Sequence, residues 1–124
     1  MAAASRDTVA IVDDDEAVRH SLRFLLEVIG HKVETFASAA EFLKAELGKL
    51  LCLIVDYHMS DMTGLDLAER LRTEGNTVPI MLTTGLPSRA IYARAAEVGV
   101  DEVLEKPLDE TLLLAFIDTA KRRA

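Results

Sequence analysis

The chain has one cysteine, no tryptophan and only 5% aromatic residues among its 124 positions. A single thiol cannot build a disulfide framework, and it excludes a cysteine-only zinc site as well. Cys52 lies inside the apolar run Leu50-Leu51-Cys52-Leu53-Ile54-Val55, where an inert buried thiol in a reducing compartment is expected. Basic charge is also scarce: 14 Lys and Arg stand against 21 Asp and Glu, a net charge of −7. That balance argues against a chain that itself grips a nucleic-acid backbone. The one concentrated basic stretch, Lys121-Arg122-Arg123, suits a helix C-terminus, where cations complement the dipole. No apolar run approaches the ~20 residues needed to span a bilayer. The first residues, Met1 to Asp7, lack the basic start and apolar core of a secretory signal, so a cytoplasmic protein is expected.

What is present is an alternation of strand-like and helix-like segments, five times over. No linker, repeat or low-complexity tract interrupts it. Half of the residues are apolar, so residues 1–124 are expected to form a single domain with a real core from about residue 8 to residue 122. After the run Thr8-Val9-Ala10-Ile11-Val12, the residues Val18, Leu22, Leu25, Leu26 and Ile29 recur at helical spacing, with Gly30 as a C-terminal cap. A short strand over 31–36 follows, and Ser38-Ala39-Ala40-Glu41 has capping-box spacing ahead of Phe42, Leu43 and Leu47. Leu65, Leu67, Ala68 and Leu71 mark a third helix, broken by Gly75-Asn76. Ser88 caps a fourth with Ile91, Ala95 and Val98 inward and Gly99 at its end. Asp109 caps a fifth whose Leu112, Leu113, Phe116, Ile117 and Ala120 form one stripe. Five β-α units with short connections predict an α/β fold, a parallel sheet with helices on both faces.

Polar groups close four of the apolar runs. Asp13-Asp14 follow the first, Asp56 the third, Thr83-Thr84 the fourth and Lys106 the fifth. Ligands of such sheets bind just beyond the carboxyl ends of the strands. Adjacent runs would therefore bring three carboxylates, a hydroxyl and an ammonium to one spot. Unpaired carboxylates at close range either shift their pKa values or bind a cation, and an oxygen-only set suits a hard ion, Mg2+ more than Ca2+. Asp15 and Glu16 are better read as acids at a helix N-terminus. Pro107 stops the fifth strand and holds Lys106 at the mouth of the sheet as a point charge for a phosphoryl oxygen. Strand alternation leaves open whether Thr83 or Thr84 faces the site. A divalent ion, a carboxylate nucleophile, a lysine and a hydroxyl donor together describe aspartyl phosphorylation.

Five pieces, in order, carry a resemblance: Ile11-Val12-Asp13-Asp14, Leu53-Ile54-Val55-Asp56, Asp61-Met62-Thr63-Gly64-Leu65-Asp66-Leu67, Leu82-Thr83-Thr84-Gly85 and Glu105-Lys106-Pro107. Nearly the whole chain resembles a response-regulator receiver domain of two-component signalling, CheY-like, and in pattern the receivers of LuxR/FixJ-type regulators. The resemblance implies a (βα)5 flavodoxin-like fold with strand order 2-1-3-4-5. It implies Asp56 as the phosphoacceptor, Mg2+ on Asp13, Asp14, Asp56 and the backbone carbonyl of His58, and Lys106 paired with the phosphoryl group through a cis bond to Pro107. The switch hydroxyl falls on Thr84. The donor would be a sensor histidine kinase or phosphotransfer protein. Output would pass through the face of the fourth helix, fifth strand and fifth helix, with Arg89, Tyr92, Arg94, Glu102, Val103, Ile117 and Lys121 as candidates, to a partner protein or a homodimer. A LuxR-type DNA-binding domain, usual beside such receivers, is not among these residues, and neither direct nucleic-acid binding nor membrane attachment is expected.

Three departures from the family pattern involve four positions. Val103 replaces a frequent aromatic that rotates when the switch hydroxyl moves, Ser60 replaces a proline, and His58 and Leu86 stand where side chains tune hydrolysis of the acyl phosphate. The expected activity is a phosphorylation switch with at most slow self-dephosphorylation, not an enzyme acting on outside substrates. The alternatives are a phosphorylation-independent docking module, which the complete acceptor site argues against and only Val103 keeps open, and a Mg2+-dependent phosphatase using Asp13, disfavoured because no cap or substrate pocket is provided for. An FMN-binding protein is disfavoured because aspartates, not a Gly/Ser/Thr-rich loop, follow the first strand.

Overall fold

The computed structural model describes residues 8–123; the leader expectation for Met1 to Asp7 lies outside them. Strands and helices alternate as β1 (Thr8–Val12), α1 (Glu16–Val28), β2 (Lys32–Phe36), α2 (Ala39–Lys44), β3 (Cys52–Asp56), α3 (Gly64–Thr73), β4 (Ile80–Thr84), α4 (Arg89–Val98), β5 (Glu102–Glu105) and α5 (Glu110–Arg123). All strands are parallel in the order β2-β1-β3-β4-β5, as expected.

The three inner strands are buried on both faces, which is why they read as continuous apolar runs. Alternate residues serve different layers. Ala10, Val12, Leu53, Val55, Ile80 and Leu82 pack with Phe42 of α2, the Leu65, Leu67 and Leu71 side chains of α3, and Ala95 of α4. Val9, Ile11, Cys52, Ile54 and Met81 pack on the other face with Leu22 and Leu26 of α1 and with Leu113, Phe116 and Ile117 of α5. Burial pushes the Cys52 thiol up to about 12, so it stays protonated and inert.

Helix ends follow the polar punctuation of the sequence. Asp15, Ser38 and Ser88 accept backbone N–H groups of the first turns of α1, α2 and α4. The Asp109 carboxylate accepts from Leu112 N at 3.2 Å. Thr63 and Asp66 form a capping box on α3 that the motif reading passed over. At α2 the expected box reaches one residue further, since Glu41 accepts from Ala37 N at 3.4 Å.

Several boundaries differ from expectation. Ile29 is 48% exposed, because α1 ends at Val28 and Gly30, at φ +100°, turns the chain away. His31 N and Gly30 N close that end on Leu26 O and Glu27 O, a Schellman arrangement. Leu112 is 51% exposed and lies off the inward stripe of α5. Helix α2 stops at Lys44, so Leu47 packs on the core from a non-helical segment. β4 begins only after Pro79, which has no N–H to give to a ladder.

Gly64 opens α3 where the chain passes closest to the end of β3. A Cβ there would lie 2.5 Å from Asp56 O and 2.7 Å from Leu82 Cδ1. One of these neighbours is backbone and cannot swing aside. Gly64→Ala is expected to destabilise the domain by about 1–3 kcal/mol, as overpacking does. Urea unfolding measures it, and an unchanged midpoint would contradict the close approach.

Candidate functional site

Register brings the strand ends together. Val12 pairs with Val55, Asp56 with Thr83 and Thr84 with Glu105, so β1, β3, β4 and β5 stop along one edge. Asp13 and Asp56 are buried there, while Asp14 is exposed. The three carboxylates offer oxygens within 4.8 Å of one another. Lys106 Nζ stands between the buried two, 3.2 Å from Asp13 Oδ2 and 3.0 Å from Asp56 Oδ1. Its backbone N–H donates to Thr84 O at 2.8 Å, and its bond to Pro107 is cis.

The charges are unevenly balanced. Burial is the main cause holding the Asp13 carboxyl above the usual carboxylate range, with the Asp56 charge adding to it. The N–H of Asp15, 2.9 Å from Asp13 Oδ1, and the Lys106 ammonium act the other way without cancelling it. Burial opposes the charge on Lys106, but its hydrogen bond to Asp56 and the two carboxylate charges outweigh that, so its pKa is raised. One ammonium therefore stays charged between two acids, one of which ionises reluctantly.

The donor set fits a hard cation. All three side chains present carboxylate oxygens, the hard donors that a small divalent ion such as Mg2+ would take. Asp13, Asp14 and Asp56 could together hold a small divalent ion. His58, exposed, follows in the loop after β3 with its ring edge-on to Tyr57, centroids 4.8 Å apart.

The two threonines part company. Thr83 Oγ1 donates to Asp56 Oδ1 at 3.3 Å. Thr84, fully buried, accepts from Leu86 N at 3.1 Å. Tyr92 is exposed on α4, and Val103 is half-buried on β5, the edge strand beside β4. Two candidates for the output face are corrected. Ile117 is 1% exposed and belongs to the core under α5, because its place on the helix points to the sheet. Arg94 turns to α3, 2.8 Å from Asp66 and 2.9 Å from Glu69, where opposite charge is available.

The motif reading also missed two supports. Arg19 Nη1 donates to Asp13 O at 2.6 Å, fastening the first acidic turn to α1. The Asp61 carboxylate accepts from Ala40 N at 2.8 Å, tying the loop after Asp56 to the start of α2. An acid at position 61 beside a helix N-terminus was visible only once β2 and β3 were placed on either side of β1.

An open parallel sheet with an acidic pocket and one lysine at its carboxyl edge defines an α/β protein of the kind that carries its site at the strand ends. The chain belongs to the response regulator receiver domain family, whose sequence profile matches residues 9–118. It is 34% identical over 117 residues to the transcriptional regulatory protein FixJ of Bradyrhizobium diazoefficiens, covering 94% of this chain and 57% of that protein. It is 37% identical over 118 residues to the response regulator protein TmoT of Ectopseudomonas mendocina, covering 94% of this chain and 53% of the other. The chain thus spans about half the length of the curated relatives it matches. The crystal structure of FixJ-N superposes with a TM-score of 0.84 at 31% identity over 97% of each chain. A CheY-like receiver domain from Methanospirillum hungatei gives 0.85 at 27% identity, covering 97% of this chain and 100% of the other. Among the described residues, no helix is long and apolar enough to cross a membrane.

Asp13 has a signature in stability. Its folded pKa lies above the unfolded value of about 3.9, so the folded state holds the proton more tightly and stability falls as pH rises through that interval. Above the interval the cost of the ionised cluster is constant. Without divalent ions, Asp13→Asn is expected to be more stable than the natural protein near neutral pH. That gain should shrink as pH falls toward about 4. Urea unfolding across this range checks it, and a gain independent of pH would contradict the assignment.

Proposed function

We propose that this receiver domain accepts a phosphoryl group on Asp56 from a histidine kinase or phosphotransfer protein of the cytoplasm, and that the added charge switches its output face. The observation that carries the reading is the buried Asp56 carboxylate at the end of β3, with Lys106 Nζ 3.0 Å away and two further acids within 4.8 Å.

An aspartate is ionised at neutral pH by default, so the nucleophile needs no general base. A carboxylate oxygen of Asp56 attacks phosphorus in line with the leaving group of the donor. Lys106 meets the negative charge on the equatorial oxygens as a fixed cation. Asp13, Asp14, Asp56 and the carbonyl of His58 would hold Mg2+, which when bound offsets charge on the phosphoryl oxygens. Thr84, whose hydroxyl oxygen accepts from Leu86 N, donates its own O–H to a phosphoryl oxygen, and the loop from β4 to α4 follows. The phosphoryl group shifts the equilibrium because it binds one arrangement of that loop better than the other.

The surface of α4, β5 and α5 reads out the change to a partner protein or a second copy. Tyr92 and Leu86, both exposed, lie on the part that moves. Val103 is too small to act as a rotating aromatic, so the loop itself, and not a side-chain swing on β5, conveys the signal. The ion pairs of Arg94 with Asp66 and Glu69 carry α3 along with α4 or break as α4 moves.

Intact-mass spectrometry after incubation with acetyl phosphate and Mg2+ tests the reading. One added phosphoryl group is expected, absent in Asp56→Asn and absent without divalent ions. No adduct, together with no uptake of beryllofluoride, would overturn it and leave a phosphorylation-independent docking module.

A further inference from the structure

Thr83 touches the reacting carboxylate, yet the switch described above gives it no task. Register pairs it with Asp56 across β3 and β4, so the two side chains leave the same face of the sheet. Thr84, one residue on, leaves the opposite face, in line with Leu82. Thr83 is 2% exposed and sits two residues beyond Met81, on the layer packed by α1 and α5. An apolar side chain would suit that layer. The hydroxyl found there donates instead to Asp56 Oδ1 at 3.3 Å, the same oxygen that Lys106 Nζ reaches at 3.0 Å. A carboxylate only accepts, so the proton of the pair is the one on Thr83.

We propose that Thr83 is a positioning residue that shortens the life of the aspartyl phosphate, by holding a hydrogen bond to the Asp56 oxygen that does not carry phosphorus. This rests on the phosphoacceptor reading of Asp56. With two donors on Oδ1, the bond to phosphorus forms at Oδ2. In hydrolysis a water oxygen bonds to phosphorus while the P–Oδ2 bond breaks. The electron pair of that bond returns to the Asp56 carboxylate, and inorganic phosphate leaves with the oxygen of the water, whose protons pass to phosphate and solvent.

The charge on Oδ1 changes along this path. In the acyl phosphate Oδ1 is a carbonyl oxygen with little charge, and in the released carboxylate it shares a full one. Phosphoryl transfer passes through a loose transition state in which the bond to the leaving oxygen is largely broken. Oδ1 has therefore regained most of its charge at the top of the barrier. A donor fixed on it stabilises the transition state more than the acyl phosphate, which raises the rate. In the forward direction the carboxylate begins charged and stays largely charged, so the same hydrogen bond alters that barrier less. Thr83 is β-branched, buried and held in a central strand, so its hydroxyl stays in place when Lys106 turns to the phosphoryl oxygens.

Thr83→Val removes the hydroxyl at nearly constant shape. The protein is loaded with acetyl phosphate and Mg2+, freed of donor by desalting, and followed by intact mass as the adduct decays. The adduct of Thr83→Val is expected to live about three to ten times longer, the net worth of one ordinary hydrogen bond. Its rate of formation should change by a smaller factor, and Thr83→Ser should return the lifetime toward that of the natural protein. A lifetime that is unchanged or shorter would overturn the proposal, as would equal factors in formation and decay or a Ser variant that behaves as Val. If Thr83→Val fails to fold, Thr83→Ala is read in the same assay with the same outcomes. Failure of the natural protein to form any adduct would instead sink the phosphoacceptor reading, so the two failures are distinct.

Discussion

The ammonium of Lys106, held between the carboxylates of Asp13 and Asp56, is the interaction around which the carboxyl edge of the sheet is arranged. Two carboxylates so nearly removed from water are costly to hold side by side without a cation beside them. A single lysine covers part of that charge and leaves Asp13 hard to ionise. The remaining negative potential, with exposed Asp14 alongside, is what a divalent ion would neutralise. The cost of crowding these acids and the suitability of the cluster for a cation are one property seen from two sides.

The rest of the molecule keeps these groups in register. Side chains of two large apolar layers clamp β1, β3 and β4 from both faces, so the strand ends cannot slip relative to one another. Asp15 and Arg19 fasten the turn after β1 to α1, one through the helix N-terminus and one through Asp13 O. Asp61 fastens the loop after β3 to α2. At the far end of the sheet, Arg72 binds Gly99 O, Asn76 O and Asp101, and Asp101 accepts from Ile80 N, which sets where β4 starts. The packed strands thus hold the charged groups at one edge of the sheet, with the loops extending beyond them.

The pair Thr83-Thr84 divides the work of the site between two faces of one strand. Thr84 sits at the strand end with its hydroxyl oxygen accepting from a loop N–H, an arrangement that leaves its own O–H to turn to a new acceptor. Thr83 sits one residue inside the ladder, and its hydroxyl points at the carboxylate itself. A group that must move belongs at the end of a strand, and a group that must stay belongs within it.

The alternation of apolar runs and helical stripes determined the five β-α units, and the polar residues closing four of the runs pointed to the candidate site, because burial on both faces leaves an unmistakable pattern in sequence. Helix caps at Asp15, Ser38, Ser88 and Asp109 were readable for the same reason, since each depends only on neighbours in the chain. The order of the strands entered through family resemblance and not through periodicity. The outward turn of Ile29 and Leu112, the burial of Ile117 and the diversion of Arg94 to α3 depended on how layers stack. So did the contact of Thr83 with Asp56, and the tie from Asp61 to α2. These are long-range pairings, fixed by which elements pack side by side and in what register, and one-dimensional spacing carries no record of either. The sequence determined which chemical groups stand at the strand ends; the tertiary structure alone decided which of them touch.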